Sequence, residues 1–521
     1  MINPRTLITT IEKIPLSLAA GIASFLAIVV VRYVLESMLE GHHVLALHTS
    51  LRLGLIDFLH VLVSWVVLYW LLALGLAAGS ARPLAQTNRI ALIGFPLIWL
   101  PPLWDVLTGN SGFIVYQHDF SEFATSFVGL FNPAVAVSYV TPGVRIEIAC
   151  AVALAVLYVW TMHGGRWAWL RALVTGLWVY GVVFLLGFLP ALWFTLLGDT
   201  ASNLLGRSIL GVNSTSAAFY WYLPWMMVIG PIWLRLSSPS IWSALLASLR
   251  PSRVLIYLAI TNLAFLSAAE IGLVGRDWLN PYDMAVVITM NLAVALAFVS
   301  MAILNDLHDL SIDRHTNPQR PLVRGIISST DFVFIAWLCG GLALWFAVLI
   351  HPLAMYPLAL TIALAYLYSA LPFRLRRFVG IAHLILAAIA AGVYLYGSAL
   401  VLGNLAIQQL NHEQLLALML LFFIGTHFKD IKDVAGDRMA GVSTLATLLG
   451  PVRAYWMIGS IVILSVLTLI ATGLIANTWS SWLALTVFTL GWGLVQNGER
   501  VFWVMLLALG ILFGSEYLSV G

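Results

Sequence analysis

The chain has 521 residues, 61% of them hydrophobic and 9% charged, with a formal net charge of +3. An ordinary soluble domain carries roughly a quarter of its residues as charged side chains, so a single aqueous globule cannot hide this much apolar surface. Apolar stretches of about 20 residues, each long enough to cross ~30 Å of hydrocarbon as a helix, recur from Ile14 to Leu518. The class expected is therefore an all-α polytopic membrane protein, with no nucleic-acid partner.

In chain order, Arg5 and Lys13 precede an apolar run that reaches full span length and lacks a small-x-small cleavage site. It reads as a first span and not as a cleaved signal. About six spans are expected before residue 250, near 14–34, 55–79, 90–107, 147–163, 172–196 and 217–234. The connection from Thr108 to Arg145 carries Asp105 at its edge and Gln117, His118, Asp119 and Glu122 within it. Its apolar part, Phe127 to Val140, suggests a re-entrant or interfacial segment, with a plain external loop as the simpler alternative. Cys150 and Cys339 lie in or beside spans and read as small buried apolar residues.

A boundary is expected near residue 250, where Ser237-Ser238-Pro239-Ser240 and Arg250-Pro251-Ser252-Arg253 interrupt the apolar pattern. It separates a first region, 1–249, from a second, 250–521. Nine further spans follow, near 254–272, 284–304, 332–350, 353–371, 379–401, 414–428, 454–475, 479–496 and 501–518. With the N-terminus cytoplasmic, twenty of the 25 lysines and arginines fall inside, and only Arg32, Arg52, Arg145, Arg207 and Arg276 fall outside. That is the asymmetry a correct topology should show, and it leaves the C-terminus outside.

The chemically suggestive residues lie after the boundary. Asp306, Asp309 and Asp313 are followed by Arg314, and Asp430, Asp433 and Asp437 by Arg438, both in the form D-x-x-D-x-x-x-D-R. Each set begins at the cytoplasmic end of a span. On a helix, positions i, i+3 and i+7 share a face, so each motif projects three carboxylates one way. Such a set is tolerable only if solvated or neutralised by cations. One copy alone reads best as a solvated acidic loop; two copies with matched spacing and sidedness point to a divalent cation. Mg²⁺ suits carboxylate and phosphate oxygens, and two facing motifs would hold two ions bridged by a diphosphate. Lys429, Lys432, Arg320 and Arg324 lie close enough in sequence to neutralise a departing diphosphate. For Arg324 and Lys432 an ordinary inner-loop charge is an equal alternative.

Asn305 through Asp313, followed by Arg320-Pro321-Leu322, resembles the first signature of the UbiA-type intramembrane prenyltransferases. Lys429 through Arg438, with Gly441, Thr444 and Leu445 downstream, resembles their second. Tyr366-Leu367-Tyr368-Ser369 and Pro372 through Arg377 look like the family's tyrosine-serine segment and basic loop. The resemblance covers about residues 250–521 and leaves the first region unexplained. It implies a nine-helix bundle whose central cavity is capped on the cytoplasmic side by the two motifs and opens to lipid.

By the same resemblance, Asn305, Asp306, Asp309, Asp313, Asp430, Asp433 and Asp437 would hold Mg²⁺ and the diphosphate. Lys429, Arg320 and Arg438 would contact phosphate oxygens, with Tyr368 and Ser369 near the reacting end; His308 and His315 are neighbours. The activity implied is Mg²⁺-dependent transfer of a prenyl group from a prenyl diphosphate to an aromatic or other lipid-soluble acceptor, in a prokaryotic cytoplasmic membrane. Asp306, Asp309 and Asp430 would act in ionisation. The first region would bind a partner or the acceptor. A terpene cyclase of the same superfamily and a lipid or small-molecule transporter are the competing expectations.

Overall fold

A computed structural model of the chain describes residues 3–39, 51–109, 120–130, 132, 140–210, 212, 214–272, 280–370, 372–378, 380–403, 406–439, 441–495 and 497–518. Among these residues, 13 helices are long and apolar enough to cross a membrane, and Trp479–Val495 and Arg500–Leu512 are shorter apolar helices at the last two expected spans. The protein is an all-α integral membrane protein. It divides into two compact units, Met1–Ser243 with Trp278–Ala285, and Ala244–Asp277 with Val286–Gly521.

The first unit contains α1 (Leu18–Leu39), α2 (Leu51–Ser80), α3 (Leu84–Leu107), α4 (Pro142–His163), α5 (Ala168–Gly187) and α6 (Ser214–Ser237). Helix α2 packs against α3, α4, α5 and α6, and Trp178 of α5 donates its indole N–H to Leu71 O at 2.9 Å. The span expected over 172–196 is broken. Its helix stops at Gly187 and restarts as Leu189–Leu197, because Pro190 has no N–H to give the preceding turn.

Of the segment expected to be re-entrant or interfacial, Phe127 to Val140, residues 131 and 133–139 lie outside the described residues. Phe123–Gly129 is a short helix, and its Phe123 and Phe127 rings pack edge-on against Phe184 and beside Phe188 and Tyr180. Its apolar side chains thus enter the unit's core. Gln117, His118, Asp119 and the side chain of Glu122 lie outside the described residues. Two buried charged side chains of this unit have partners across or along its helices. Arg32, 2% exposed, has Glu36 at 3.6 Å, and Glu12 accepts from Tyr158 Oη at 2.9 Å.

The second unit takes in α7 (Pro251–Gly272), α8 (Pro281–His308, after its first residues), α9 (Leu310–Thr316), α10 (Ser329–Ile350) and α11 (Met355–Ser369). It continues with α12 (Ile381–Leu402), α13 (His412–Gly425), α14 (His427–Met439), α15 (Pro451–Ala471), α16 (Trp479–Val495) and α17 (Gly498–Leu518). Helix α12 lies at the centre, against α7, α11 and α13. Most of its side chains are buried, Tyr394 and Tyr396 completely, as expected of a helix apolar on every side. Gly397 lets α12 touch the α7 backbone, since a Cβ there would lie 2.4 Å from Thr261 O.

Helix starts follow local chemistry. Ser328 caps α10 through the Asp331 N–H at 3.1 Å, and Asn411 caps α13 through the Gln414 N–H at 2.9 Å. Both acidic motifs begin where a span ends, at the α8–α9 and α13–α14 junctions, so membrane-spanning helices deliver them to one end of the unit.

Candidate active site

Asn305 and Asp306 occupy the last turn of α8, Asp309 sits at the junction, and Asp313 lies in α9. The i−4 backbone ladder runs through the junction, with Asp309 N to Asn305 O at 3.0 Å and Asp313 N to Asp309 O at 2.8 Å. The face the spacing predicts is thereby preserved. Asp306, Asp309 and Asp313 are all buried, and a buried carboxylate requires partners.

Those partners are arginines. Arg250 and Arg320 both ion-pair with Asp306 Oδ1, and Arg320 also reaches Asp313 Oδ2 at 2.6 Å. Arg376 grips Asp309 with both terminal nitrogens, Nη1 at 2.5 Å from Oδ2 and Nη2 on Oδ1, the fork geometry that makes arginine a strong carboxylate partner. Arg374 adds a 3.5 Å contact to Asp309. Asn305 Nδ2 donates to Asp309 Oδ2 at 3.1 Å, and Ser369 Oγ donates to Asn305 Oδ1 at 2.8 Å. At Asp313, burial raises the carboxyl pKa above its ordinary value, against the opposing pull of Arg320 and of the Asn317 amide. Arg250 and Arg374 hold left-handed backbone, with φ of 43° and 39°.

The second motif lies along α14. Asp430 Oδ2 is 3.0 Å from His383 Nε2 on α12. The other ring nitrogen of His383 is 3.1 Å from Thr426 Oγ1, and the His427 ring stacks on it with centroids 3.4 Å apart. Lys429 Nζ sits 4.1 Å over the Phe502 ring.

Both motifs open onto one cavity of about 600 Å³. Asn305, Asp309, Asp313, Arg320, Tyr368, Ser369, Lys429, Asp430, Lys432 and Asp433 line it, with Arg250, Arg376 and His383. The rest of the wall mixes polar groups, Ser252, Arg253, Asn317, Thr426, Ser443 and Thr444, with an apolar and aromatic part that includes Tyr257, Phe298, Leu386, Ile389, Phe422 and Phe502. Asp306 stands behind the wall, buried between two arginines that are on it.

Other expected residues lie elsewhere. Arg324 is exposed and away from the lining, and Arg438 is exposed with Nη2 donating to Thr447 O at 3.3 Å. His308 faces the Tyr366 ring at 5.9 Å. The side chains of Asp437 and His315 lie outside the described residues. Sequence reasoning did not single out Arg250, Arg374, Arg376 or His383. Arg374 and Arg376 had a signal in the basic loop after Ser369, Arg250 read as a boundary residue, and a lone histidine in an apolar helix carried no sign of its partner.

Residues 263–505 match the family model described as the UbiA prenyltransferase family. The chain is similar to the digeranylgeranylglyceryl phosphate synthase of Haloquadratum walsbyi, 28% identical over 32% of this chain and 56% of that protein. It is also similar to a probable chloroplastic homogentisate phytyltransferase 2 of Oryza sativa subsp. japonica, 33% identical over 30% of this chain and 43% of the relative. The matched stretch thus spans only about half the length of these curated relatives. A solved UbiA homologue from Archaeoglobus fulgidus, bound to DMAPP and Mg²⁺, aligns over 53% of this chain and 99% of its own, at 17% identity and a TM-score of 0.39.

Proposed function

Because residues 263–505 belong to the UbiA prenyltransferase family, we propose that the region 250–521 transfers a prenyl group from a prenyl diphosphate to a lipid-soluble acceptor within the membrane. One observation carries this reading. Asp309 and Asp313 of the first motif share a single cavity with Asp430 and Asp433 of the second, and apolar and aromatic residues, Tyr257, Phe298, Leu386, Ile389, Phe422 and Phe502 among them, form part of the same wall. Clusters pointing apart would have left no room for a shared ligand.

The donor set fits hard divalent cations. It is carboxylate oxygen, and the buried Oδ2 of Asp430 has no hydrogen-bond partner. Asp309, Asp313, Asp430 and Asp433, with Asn305 and Asp437, are the residues that would hold Mg²⁺, two ions in this reading, while Asp306, expected among them, stands behind the wall and fixes Arg250 and Arg320. Bound Mg²⁺ supplies positive charge against the leaving diphosphate.

The chain's own residues do the rest. Arg320, Lys429 and Lys432 present N–H groups to the phosphate oxygens at the polar end, where Arg250 and Arg376 are already held in place by carboxylates. As the allylic carbon–oxygen bond breaks, its electron pair leaves with the diphosphate, and these fixed cations stabilise that charge without reorganising. The faces of Tyr368, Tyr257 and Phe298 stabilise the carbocation and exclude water. The acceptor's carbon or hydroxyl then bonds to the allylic carbon, and its proton passes to a carboxylate or to the released diphosphate.

Both motifs and the N-terminus face the cytoplasm, and the C-terminus lies outside. Residues 1–249 form a separate region that binds a partner or the acceptor. Incubating the purified full chain with Mg²⁺ and prenyl diphosphates, with and without lipid extract, tests the activity. Acceptor-dependent diphosphate release supports transfer. Terpene hydrocarbon or alcohol formed without acceptor would indicate a cyclase, and no release under either condition would overturn both.

A further inference from the structure

We propose that His383 Nε2 is a nitrogen ligand of the cation held at the second motif, so that this site is a mixed histidine–aspartate site and not an all-oxygen one. The inference rests on the metal reading above and concerns a residue outside both aspartate motifs.

Three observations carry it. His383 is 4% exposed, sits on the cavity wall, and its Nε2 lies 3.0 Å from Asp430 Oδ2. Despite that proximity, Asp430 Oδ2 is a buried atom with no hydrogen-bond partner, so the two atoms are close without being aligned as donor and acceptor. An octahedral cation bonded at about 2.1 Å to its ligands has neighbouring donors about 3.0 Å apart. That is the separation found, and it suits two atoms converging on a third.

The hydrogen bonds of the ring supply the third observation. Thr426 Oγ1 donates to Phe423 O at 3.0 Å and lies 3.1 Å from His383 Nδ1. A hydroxyl has one proton, and a carbonyl can only accept. Both contacts are satisfied together only when Nδ1–H donates to Thr426. With Nδ1 as the donor to Thr426, Nε2 is the ring nitrogen on the Asp430 side, and its in-plane direction, off the line to Oδ2, is the one a cation shared by the two atoms would occupy. A ligating histidine whose other nitrogen donates to a fixed oxygen is the usual arrangement in metal sites. His427, stacked on the ring and 3.0 Å from Phe423 O through its own Nδ1, fixes the ring plane. No cluster of three His, Cys, Asp or Glu able to hold a metal occurs among the described residues, so His383 and Asp430 would need water or phosphate oxygens to complete the site. An imidazole donor shifts preference from Mg²⁺ towards Mn²⁺ and other transition metals.

The test uses the purified full chain loaded with Mn²⁺ and inorganic diphosphate, read by electron spin-echo envelope modulation. The wild type should show ¹⁴N modulation from a bound imidazole, replaced by the ¹⁵N pattern when the protein is labelled with ¹⁵N-histidine. His383→Gln should lose the modulation and weaken Mn²⁺ about 10–100-fold, with a smaller loss for Mg²⁺, while His427→Gln keeps the modulation. If His383→Gln does not fold, the labelled His315→Gln/His427→Gln variant decides, because among the described residues His383 is the histidine on the cavity wall. Bound Mn²⁺ without nitrogen modulation, or modulation unchanged in His383→Gln, overturns the ligand assignment alone. Failure to bind Mn²⁺ at all removes the metal reading with it.

Discussion

Arg320 is the residue whose loss the geometry sizes best. It spans Asp306 and Asp313, which are 3% and 4% exposed as side chains, while Arg320 itself is 22% exposed. In Arg320→Met, Asp306 keeps Arg250, but among the described residues Asp313 keeps the Asn317 amide at 3.0 Å as its side-chain partner. A charge-assisted hydrogen bond is worth about 1.5–3 kcal/mol, and removing one partner of a buried pair costs about 3–5 kcal/mol. Since Asp306 retains a partner and Arg320 is partly solvated, the expected loss is near the lower figure, about 3 kcal/mol. Adding Asp313→Asn removes the stranded charge, so the double variant should recover about half of it. The assay is reversible SDS unfolding in mixed micelles, followed by circular dichroism, at neutral pH without divalent cations. A loss below about 0.5 kcal/mol in Arg320→Met, or strictly additive behaviour of the two substitutions, would refute the reasoning.

Asp309→Asn and Asp430→Asn should each lower diphosphate release by at least about 10²-fold while the protein stays folded by circular dichroism; release at the wild-type rate in both would contradict the metal assignment. Gly397→Ala forces a methyl to 2.4 Å from Thr261 O, and unfolding should register a cost of about 1–3 kcal/mol, with little change expected for Gly341, where a Cβ meets nothing within 4 Å. In the first unit, Arg32→Met strands Glu36 beside a buried position and should cost up to about 3 kcal/mol; the Arg32→Met/Glu36→Gln pair should be more stable than Arg32→Met alone.

Much of this protein could be read locally. Hydropathy depends only on which side chains stand within about 20 residues, so the spans, including the two short ones at Trp479–Val495 and Arg500–Leu512, are legible without a fold. The same holds for the motif faces, because i, i+3 and i+7 geometry is set by the helix itself. Asp309, Asp313, Asp430 and Asp433 could therefore be nominated from spacing, with Asn305 added by the family resemblance, and one cavity contains them all. Helix interruptions were less legible. Phe188 and Pro190 break a run that composition reads as continuous.

Tertiary structure alone decided who neutralises the carboxylates. Arg250 lies 56 residues from Asp306, Arg376 lies 67 from Asp309, and His383 lies 47 from Asp430. No helical period links such positions; they meet because α7, α8, α11, α12 and α14 converge at one end of the second unit. Electrostatic pairing acts over a few ångströms in space, whatever the distance along the chain, so the sequence announces the buried charges and only the packed bundle determines their partners.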